Sequence, residues 1–479
     1  MKLKQLIENI KCDLYGDDIE ISSLALSDVD CRAGSLFFCI KGNNRNGTDF
    51  IDSAIKKGAV AVVACEKTEA NVSCVVVKDV RKAMTSICKQ FYSDPQKRLK
   101  TIGVVGTDGK TSVCEMVCAM LNSCGVKCGK IGTLGAEFQG QITETGMTTP
   151  DTPALYSIMN EMANKGAEAI CMELSAHAVY YKKADFTFDI LIFTNCTRDH
   201  LDFFGTEEKY RAVKASAFTH KNCRLAVVNA DDPLGIIIAA KRKSGTITYG
   251  IEQPSDVFAL DVNETRDGTR FLINLFDRLY DIESGLIGRF NVYNLLAVAT
   301  ATALCGLKTD TIARKLSELK AIDGRMQRVH ECPDVYVDYA HTPDGLENAI
   351  TALKRIVCGK LLCVFGCGGN RDIGKRAEMG KISGRLADFS VITCDNPRFE
   401  ESQNIIGEIE KGLRSVPNAS YVTISDRKRA IEYALQRAES DDIVLIAGKG
   451  AEKYQEVMGV KLAFSDEETA CAYFEKNGG

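Results

Sequence analysis

Apolar residues along the chain fall into short unbroken runs and into longer stretches with helical spacing, and the two kinds alternate. Residues 59–65 and 101–105 are runs of the first kind and predict buried strands. Residues 80–92 place their apolar side chains on one helical face and predict an amphipathic helix. Residues 1–15 show a similar helical spacing. Alternating strands and helices indicate an α/β fold with a largely parallel sheet and helices on both faces.

The same pattern divides the chain into three blocks. A polar stretch at 93–100, which contains Pro95, predicts a linker after the first block. A third block begins near Val335 and again alternates strand and helix. We therefore predict three domains, at residues 1–98, 99–330 and 331–479. In the last two blocks the predicted helices are 110–124 and 345–356, and the predicted strands are 101–105, 169–174, 189–194, 225–229, 335–339, 361–365, 389–393 and 443–447.

The composition excludes several classes of protein. The chain has 479 residues, a net charge of -4 and a hydrophobic fraction of 45%, which suits domains with buried cores. There is no basic stripe for nucleic acid, no signal peptide pattern and no apolar run long enough for a transmembrane helix. We therefore expect a cytoplasmic protein with no nucleic-acid partner and no membrane span. We also expect a monomer. The 20 cysteines include no C-x-x-C pair, which favours reduced core thiols over zinc ligands.

A glycine-rich turn joins the predicted strand at 101–105 to the predicted helix at 110–124. Glycines let backbone N–H groups close around phosphates, and the helix N-terminus adds partial positive charge. In such a loop Lys110 reaches the β- and γ-phosphates and the Thr111 hydroxyl binds Mg²⁺. The strict phosphate-loop pattern is not met, because Val104 stands where its first glycine belongs. Rather than a plain turn with a surface lysine, we predict an ATP site formed by Gly106, Thr107, Gly109, Lys110, Thr111 and Ser112.

Two of the five histidines follow predicted strands of the second block. His177 lies just after Glu173, and His200 lies in the polar stretch 194–202. Ligands of open α/β sheets bind at the carboxyl ends of strands, so both stretches point to one crevice. A lone histidine is more often structural than a ligand. Beside a phosphate loop on the same edge, we expect Glu173 and His200 to bind a second Mg²⁺.

The run at 198–206, followed by Tyr210 and Lys214, resembles the Mur ligase family of peptidoglycan synthesis. Further matches lie in order at 291–294, 324–329 and 338–344, so the resemblance covers essentially the whole chain. It implies an N-terminal domain for a UDP-linked substrate, a central P-loop-type ATPase domain and a C-terminal Rossmann-like domain for an amino acid. It also implies a ligase that uses ATP and Mg²⁺ and passes through an acyl phosphate.

The resemblance further assigns roles to single residues. Lys214 matches a lysine that is carbamylated in the family, and a carbamate supplies the oxygen ligands that a hard metal prefers. The catalytic set implied is Lys110, Glu173, His200 and Lys214, and the metal set is Thr111, Glu173, His200 and Lys214. The implied nucleotide contacts beyond the phosphate loop are Asn291, Asn294, Arg325 and Asp338.

Family members differ mainly in the amine that they add, and the third domain carries that choice. Residues 395–398 match the signature for meso-2,6-diaminopimelate, which has a distal carboxylate that lysine lacks. The Arg398 guanidinium can clamp that carboxylate through two hydrogen bonds, and Glu452 would receive the distal ammonium. The other implied amino-acid contacts are Arg371, Asp395, Asn396 and Gly448, and those to the UDP-linked muramoyl dipeptide are Thr148, Thr149, Ser175 and Lys183.

Several positions depart from the family pattern, mainly on the UDP-muramoyl side. An Asp-Ser-Arg element appears as 27–29 (Ser-Asp-Val), and the other departures are Ala176, Tyr181, Lys183 and Ala451. We expect the diaminopimelate-adding ligase of peptidoglycan synthesis. The alternatives are a ligase for L-lysine, a paralogue with another acceptor carboxylate, and a non-catalytic binding protein. Folylpolyglutamate synthase shares the ATP core, but residues 395–398 and 34–42 argue against it.

Overall fold

The computed structural model describes residues 1–42, 45–242 and 244–477, which form an α/β protein. By packing of Cα atoms the chain divides into two compact units. The first contains Met1–Gly103, Gly125–Asp189 and Lys221–Arg224. The second contains Val104–Cys124, Ile190–His220 and the chain from Leu225 onward. The domain limits at 98/99 and 330/331 stay a prediction.

The N-terminal part of the first unit is built on a five-stranded sheet with the order β1-β5-β4-β3-β2. Its elements are α1 (Leu3–Ile7), β1 (Cys12–Tyr15), β2 (Ser23–Ala25), β3 (Ser35–Phe38), α2 (Ile51–Lys56), β4 (Ala59–Ala64), β5 (Ser73–Val77) and α3 (Val80–Phe91). β4 and α3 confirm the predicted strand and helix. The helical spacing of residues 1–15 corresponds to a helix only as far as Ile7, because β1 pairs antiparallel with β5. Pairing with a sheet edge overrides a weak helical spacing here.

The middle of the chain confirms the predicted alternation of strands and helices. Its elements are β6 (Lys100–Val105), α4 (Lys110–Ser123), β7 (Cys128–Gly132), β8 (Gly135–Phe138), β9 (Gln141–Thr143), α5 (Thr152–Asn164), β10 (Ala169–Leu174), α6 (Ala176–Tyr180), β11 (Phe188–Phe193), α7 (Leu201–Phe204), α8 (Glu207–Ser216), β12 (Cys223–Asn229), α9 (Pro233–Lys241), β13 (Thr246–Gly250), β14 (Val257–Thr265), β15 (Gly268–Leu275), β16 (Leu279–Ser284), α10 (Arg289–Leu304) and α11 (Thr309–Leu316). The predicted linker is short, since β6 already begins at Lys100.

The strands of the middle of the chain are divided between the two units. In the first unit β10 pairs parallel with β7, and β7, β8 and β9 form an antiparallel edge. In the second unit β12, β13 and β14 pair in parallel, while β14, β15 and β16 are antiparallel. The antiparallel strands were not predicted, because their alternating polar positions give no long apolar run. α10 is buried on nearly all sides and packs against α4, β13 and β14.

The C-terminal part of the second unit has a six-stranded sheet with the order β17-β18-β22-β19-β20-β21. Leu346, Met379 and Ile409 of three helices cover one face, and Ala430, Ile431 and Ala470 of two further helices cover the other. This is the doubly wound arrangement predicted for the third block. The elements are β17 (Gln327–His330), β18 (Asp334–Asp338), α12 (Pro343–Ile356), β19 (Leu361–Phe365), α13 (Gly374–Leu386), β20 (Phe389–Ile392), α14 (Ser402–Arg414), β21 (Tyr421–Thr423), α15 (Arg427–Arg437), β22 (Ile443–Ala447), β23 (Tyr454–Val457), β24 (Val460–Ala463) and α16 (Asp466–Asn477).

Two sequence expectations concern the chain as a whole. All 20 cysteines are free thiols, and most of them are buried. Within residues 1–42, 45–242 and 244–477, no helix has both the length and the apolar character that crossing a membrane requires.

Replacing Ile431 by alanine should destabilise the C-terminal part of the second unit. Ile431 lies in α15 and is 0% exposed, so its loss leaves a cavity against the sheet. We expect the free energy of unfolding to fall by about 2–4 kcal/mol in urea denaturation. Lys428→Ala, at an exposed position of the same helix, is the control and should change it by less than about 0.5 kcal/mol. An Ile431→Ala loss as small as that of the control would contradict the packing.

Candidate active site

The glycine-rich turn after β6 is held by hydrogen bonds from the segment that follows β11. The Thr107 N–H donates to the Asn195 carbonyl at 3.0 Å, and the Asp108 N–H donates to Asn195 Oδ1 at 2.9 Å. The Thr194 hydroxyl donates to the Asp108 carbonyl at 2.7 Å. A Cβ at Gly106 would lie 1.8 Å from Thr194 Oγ1, so the close approach requires glycine. The loop therefore has a fixed shape.

Lys110 and Thr111 open α4 directly after this turn. Lys110 Nζ donates to the carbonyls of Gly106 at 3.1 Å and Thr107 at 2.6 Å, so the ammonium caps the loop. The Thr111 hydroxyl is buried and accepts from Arg325 Nη2 at 3.2 Å. Two cations thus converge on the N-terminus of α4, where phosphate groups are favoured. This arrangement can bind a polyphosphate.

The other predicted nucleotide residues lie in the same unit. Asn294 of α10 donates to Asn291 Oδ1 at 3.0 Å, and its own Oδ1 lies 2.7 Å from the place of a Cβ on Gly109. Asp338 accepts from the backbone N–H groups of Met326 at 2.6 Å and Ala340 at 2.8 Å. Burial raises the pKa of Asp338 above its usual value. The Asp338 carboxylate therefore fixes the chain around Arg325.

Lys214 is a fully buried lysine of α8. Its Nζ donates to Thr107 Oγ1 at 2.5 Å and lies 4.2 Å from the centre of the Tyr210 ring. Within the described part of the chain, no carboxylate lies within ion-pair distance of Lys214. Burial lowers the pKa of Lys214 to about 7, and Asp108 only partly opposes that shift. A large share of Lys214 is therefore a neutral amine near pH 7.

His200 follows Asp199 in a strained backbone conformation. Its φ is 53°, in the left-handed region that few residues other than glycine adopt. Nε2 lies 3.2 Å from Asp199 Oδ2, and the His200 N–H donates to Asp199 Oδ1 at 2.8 Å. Partial burial lowers the pKa of His200, although Asp199 opposes the shift. Strain of this kind is common where a side chain must be aimed at a functional site.

Glu173 lies at the end of β10 in the first unit and is 1% exposed. Its carboxylate accepts from the Thr133 N–H at 2.7 Å and from the Thr133 hydroxyl at 3.2 Å. A Cβ on Gly132 would lie 2.2 Å from Glu173 Oε1. Thr148 Oγ1 lies 3.1 Å from Thr133 Oγ1. The structure thus brings Thr148 and Glu173 together around Thr133.

The predicted muramoyl-dipeptide contacts also cluster within the first unit. The Thr149 hydroxyl donates to the Glu173 carbonyl at 2.8 Å and accepts from the Ser175 N–H at 3.1 Å. Lys183 forms an ion pair with Asp151 at 2.8 Å and donates to the Thr149 carbonyl at 3.2 Å. Lys183 is therefore oriented by its neighbours, even though it departs from the family's arginine.

Two loops of the C-terminal part meet through the side chains predicted to bind an amino acid. Asn396 Nδ2 donates to Glu452 Oε2 at 2.9 Å. Lys449, which is 0% exposed, donates to Asn396 Oδ1 at 3.1 Å and to Glu452 Oε2 at 2.8 Å. Asp395 Oδ1 lies 3.8 Å from the same ammonium, and a Cβ on Gly448 would lie 2.9 Å from Asp395 Oδ2. Sequence reasoning missed Lys449, which carries no signal beyond its place between two glycines.

Arg398 is held from three directions. Its Nη1 donates to the Gly369 carbonyl at 2.8 Å, and its Nε donates to Glu456 Oε2 at 3.2 Å. Its φ of 52° is again left-handed, and its backbone bridges to Val457 of β23. Arg371 is exposed, and both arginines lie near Gly368. Glu456 was not predicted, because its pairing with Arg398 joins distant parts of the chain.

Two groups of predicted residues are not assembled by direct contacts. In the described chain, no three His, Cys, Asp or Glu side chains are grouped as metal ligands. Mg²⁺ is usually held by one or two carboxylates with phosphates and water, so the metal set stays a prediction. The second group is the element at residues 27–29, which departs from the family pattern on the UDP-muramoyl side. There Asp28 pairs with Lys57 at 2.9 Å, and Val29 is 71% exposed.

Three family models match the chain in the order of its blocks. They are the Mur ligase family, catalytic domain at residues 20–92, the Mur ligase middle domain at 104–302 and the Mur ligase, glutamate ligase domain at 324–450. The chain belongs to the Mur ligase family, which consists of ATP-dependent ligases.

Particular relatives narrow the comparison. The UDP-N-acetylmuramoyl-L-alanyl-D-glutamate–2,6-diaminopimelate ligase of Geobacillus thermodenitrificans is 38% identical over 467 residues, which cover 95% of each chain. A solved structure of a ligase with the same name is 28% identical, with a TM-score of 0.69, and covers 100% of this chain and 99% of its own. The MurF ligase of Thermotoga maritima, solved in complex with ADP, is 21% identical, with a TM-score of 0.65 and 96% and 99% coverage. The likeness to the MurF ligase, at this level of identity, shows a shared fold.

Replacing Gly109 by alanine should weaken nucleotide binding by at least about tenfold. The new methyl group would lie 2.7 Å from Asn294 Oδ1 and push it away from the phosphate loop. Gly125→Ala is the matched control, since Gly125 has a similar φ of +85° but no atom within 4 Å of its added Cβ. Both variants carry about 1–2 kcal/mol of backbone strain, so only the contact differs. Calorimetric titration with ATP measures the affinity of both variants. Equal affinities would contradict the close approach of Gly109 to Asn294.

Proposed function

We propose that this chain adds meso-2,6-diaminopimelate to UDP-N-acetylmuramoyl-L-alanyl-D-glutamate with the cleavage of ATP to ADP and phosphate. The observation that carries the proposal is the pair of loops, joined by the hydrogen bond from Asn396 to Glu452, that carry the Arg398 guanidinium and the Glu452 carboxylate. One end can bind a carboxylate and the other an ammonium, and the distal end of diaminopimelate has both groups. Relatives that cover nearly the whole chain carry the name of this ligase.

The reaction needs charge stabilisation at the phosphates more than it needs acid–base groups. The terminal glutamate carboxylate attacks the γ-phosphate, which yields an acyl phosphate and ADP. The amine then attacks the acyl carbon, and phosphate leaves as the amide forms. Lys110 and Arg325, which converge on the start of α4, offset the negative charge of phosphates and carboxylate. In this mechanism His200 and Lys214 are metal-site residues rather than general bases.

Mg²⁺ fits the oxygen donors that the chain provides. Thr111 offers a buried hydroxyl at the phosphate loop, and Glu173 offers a buried carboxylate at the end of β10. Mg²⁺ would neutralise phosphate charge and orient the γ-phosphate.

The domain limits 1–98, 99–330 and 331–479, a monomeric state and a cytoplasmic location belong to the same proposal.

Lys214 would complete the metal set as a carbamate. A buried lysine without an ion pair is costly as a cation, and its pKa of about 7 leaves a neutral amine that can attack CO₂. The carbamate is an anion with two oxygens, so it replaces a buried positive charge by a ligand for a hard cation. Thr107 and Tyr210 hold the amine in place.

The carbamate should be visible by ¹³C NMR of the protein in ¹³C-bicarbonate. Its signal should be present at pH 8 and fall below about pH 7, where Lys214 takes up a proton and stops reacting with CO₂. Lys214→Ala should lose the signal and the activity, and added short carboxylates should restore turnover in part. Lys209→Ala, an exposed lysine of the same helix, should keep both. A signal that survives in Lys214→Ala, or a complete failure of rescue, would contradict the carbamate.

The amine specificity is tested by offering diaminopimelate and L-lysine separately with ATP, Mg²⁺ and the UDP-linked dipeptide. Mass spectrometry should find the UDP-tripeptide with diaminopimelate alone. Arg398→Ala should raise the KM for diaminopimelate by at least about tenfold, because it removes the carboxylate clamp. Arg414→Ala, an arginine that is 69% exposed, should leave it unchanged. Product with lysine would favour the lysine-adding alternative, and the absence of product with either amine would favour a different acceptor carboxylate.

A further inference from the structure

The two loops of the amino-acid site begin at strand ends that are not neighbours. The loop with Asn396 and Arg398 follows β20, and the loop with Gly448 and Glu452 follows β22. β19 lies between these two strands in the sheet. Each of the two strands pairs with β19, but Cys394 and Ala447 lie beyond the last of those pairs, so pairing with β19 does not hold the loops themselves.

Besides the contacts of Asn396, Lys449 and Glu452 between the loops, a further side chain bridges the two strand ends. Arg427, at the start of α15, donates through Nη2 to the Ala447 carbonyl at 3.0 Å and through Nη1 to the Cys394 carbonyl at 3.4 Å. Ala447 is the last residue of β22, and Cys394 immediately precedes the Asn396 loop. The planar guanidinium presents donors at fixed angles, so it can hold both carbonyls at once.

The positive charge of Arg427 is neutralised by a buried carboxylate. Asp466, the first residue of α16, accepts from Arg427 Nε and Nη2 at 2.7 Å each. Both side chains are 0% exposed. A buried ion pair of this kind adds little stability over an apolar pair of the same size. Its two carbonyl contacts give the guanidinium a use that an apolar pair cannot supply.

We propose that Arg427 is a positioning residue that sets the spacing of the two amino-acid loops and thereby the affinity for the amine. The hydrogen bonds of Arg427 go to Asp466 and to the carbonyls of Cys394 and Ala447, so we expect its loss to act on amine binding rather than on ATP binding. This inference rests on the proposed function, because that function assigns the amine to these loops.

The test replaces the ion pair by an apolar pair, Arg427→Met with Asp466→Leu, which avoids leaving a buried charge alone. The KM for diaminopimelate should rise by about tenfold or more, since a small misplacement of substrate groups costs that much. The KM for ATP and the melting temperature should stay near the wild-type values. A KM for diaminopimelate within about twofold of wild type in the folded double variant would overturn the proposal, because a purely structural pair would behave so.

A second variant keeps the test decisive if the double variant does not fold. Arg427→Lys keeps the charge beside Asp466 but offers a single ammonium that cannot hold two carbonyls. The KM for diaminopimelate should therefore again rise, while the KM for ATP stays near the wild-type value. Arg242→Met is the control: Arg242 is also buried and donates to the carbonyls of Phe218 and Gly245, outside the amino-acid loops. It should lower the melting temperature without changing the KM for the amine. The wild-type reaction first shows which amine is used, so a failed substrate assignment is distinguished from a failed role of Arg427.

Discussion

The hydroxyl of Thr107 joins the three parts of the chain on which the phosphate site depends. It donates to the Thr197 carbonyl at 3.2 Å, accepts from the Thr197 N–H at 3.1 Å and accepts from Lys214 at 2.5 Å. The Tyr210 hydroxyl of α8 lies 3.4 Å from the same oxygen, so two side chains of α8 contact it. The turn after β6, the segment after β11 and α8 are therefore held by one side chain.

The second constraint is the carboxyl edge of parallel strands. The phosphate loop follows β6, Glu173 ends β10, and the amino-acid loops follow β20 and β22. Loops at these strand ends can change in sequence without disturbing the sheets, since the strand cores are buried on both faces. The departures from the family pattern at Ala176, Tyr181 and Lys183 lie in or just after the helix that follows β10.

Much of the fold could be predicted because buried parallel strands are continuous apolar runs. β10, β19 and β22 begin and end at the predicted residues. The antiparallel strands β14 to β16 alternate polar and apolar residues on a half-exposed surface, and a single sequence carries too weak a signal for them. Arg427 and Asp466 are 39 positions apart, and no local spacing relates a charged pair that only the folded sheet brings together.

The central claim is that the glutamate carboxylate is activated as an acyl phosphate at the phosphate loop. The most direct measurement uses the UDP-linked dipeptide with ¹⁸O in its terminal glutamate carboxylate, together with ATP, Mg²⁺ and diaminopimelate. Mass spectrometry of the released phosphate should find one ¹⁸O atom for each amide formed, because the carboxylate oxygen leaves with the phosphoryl group. Unlabelled phosphate accompanying amide formation would contradict the account.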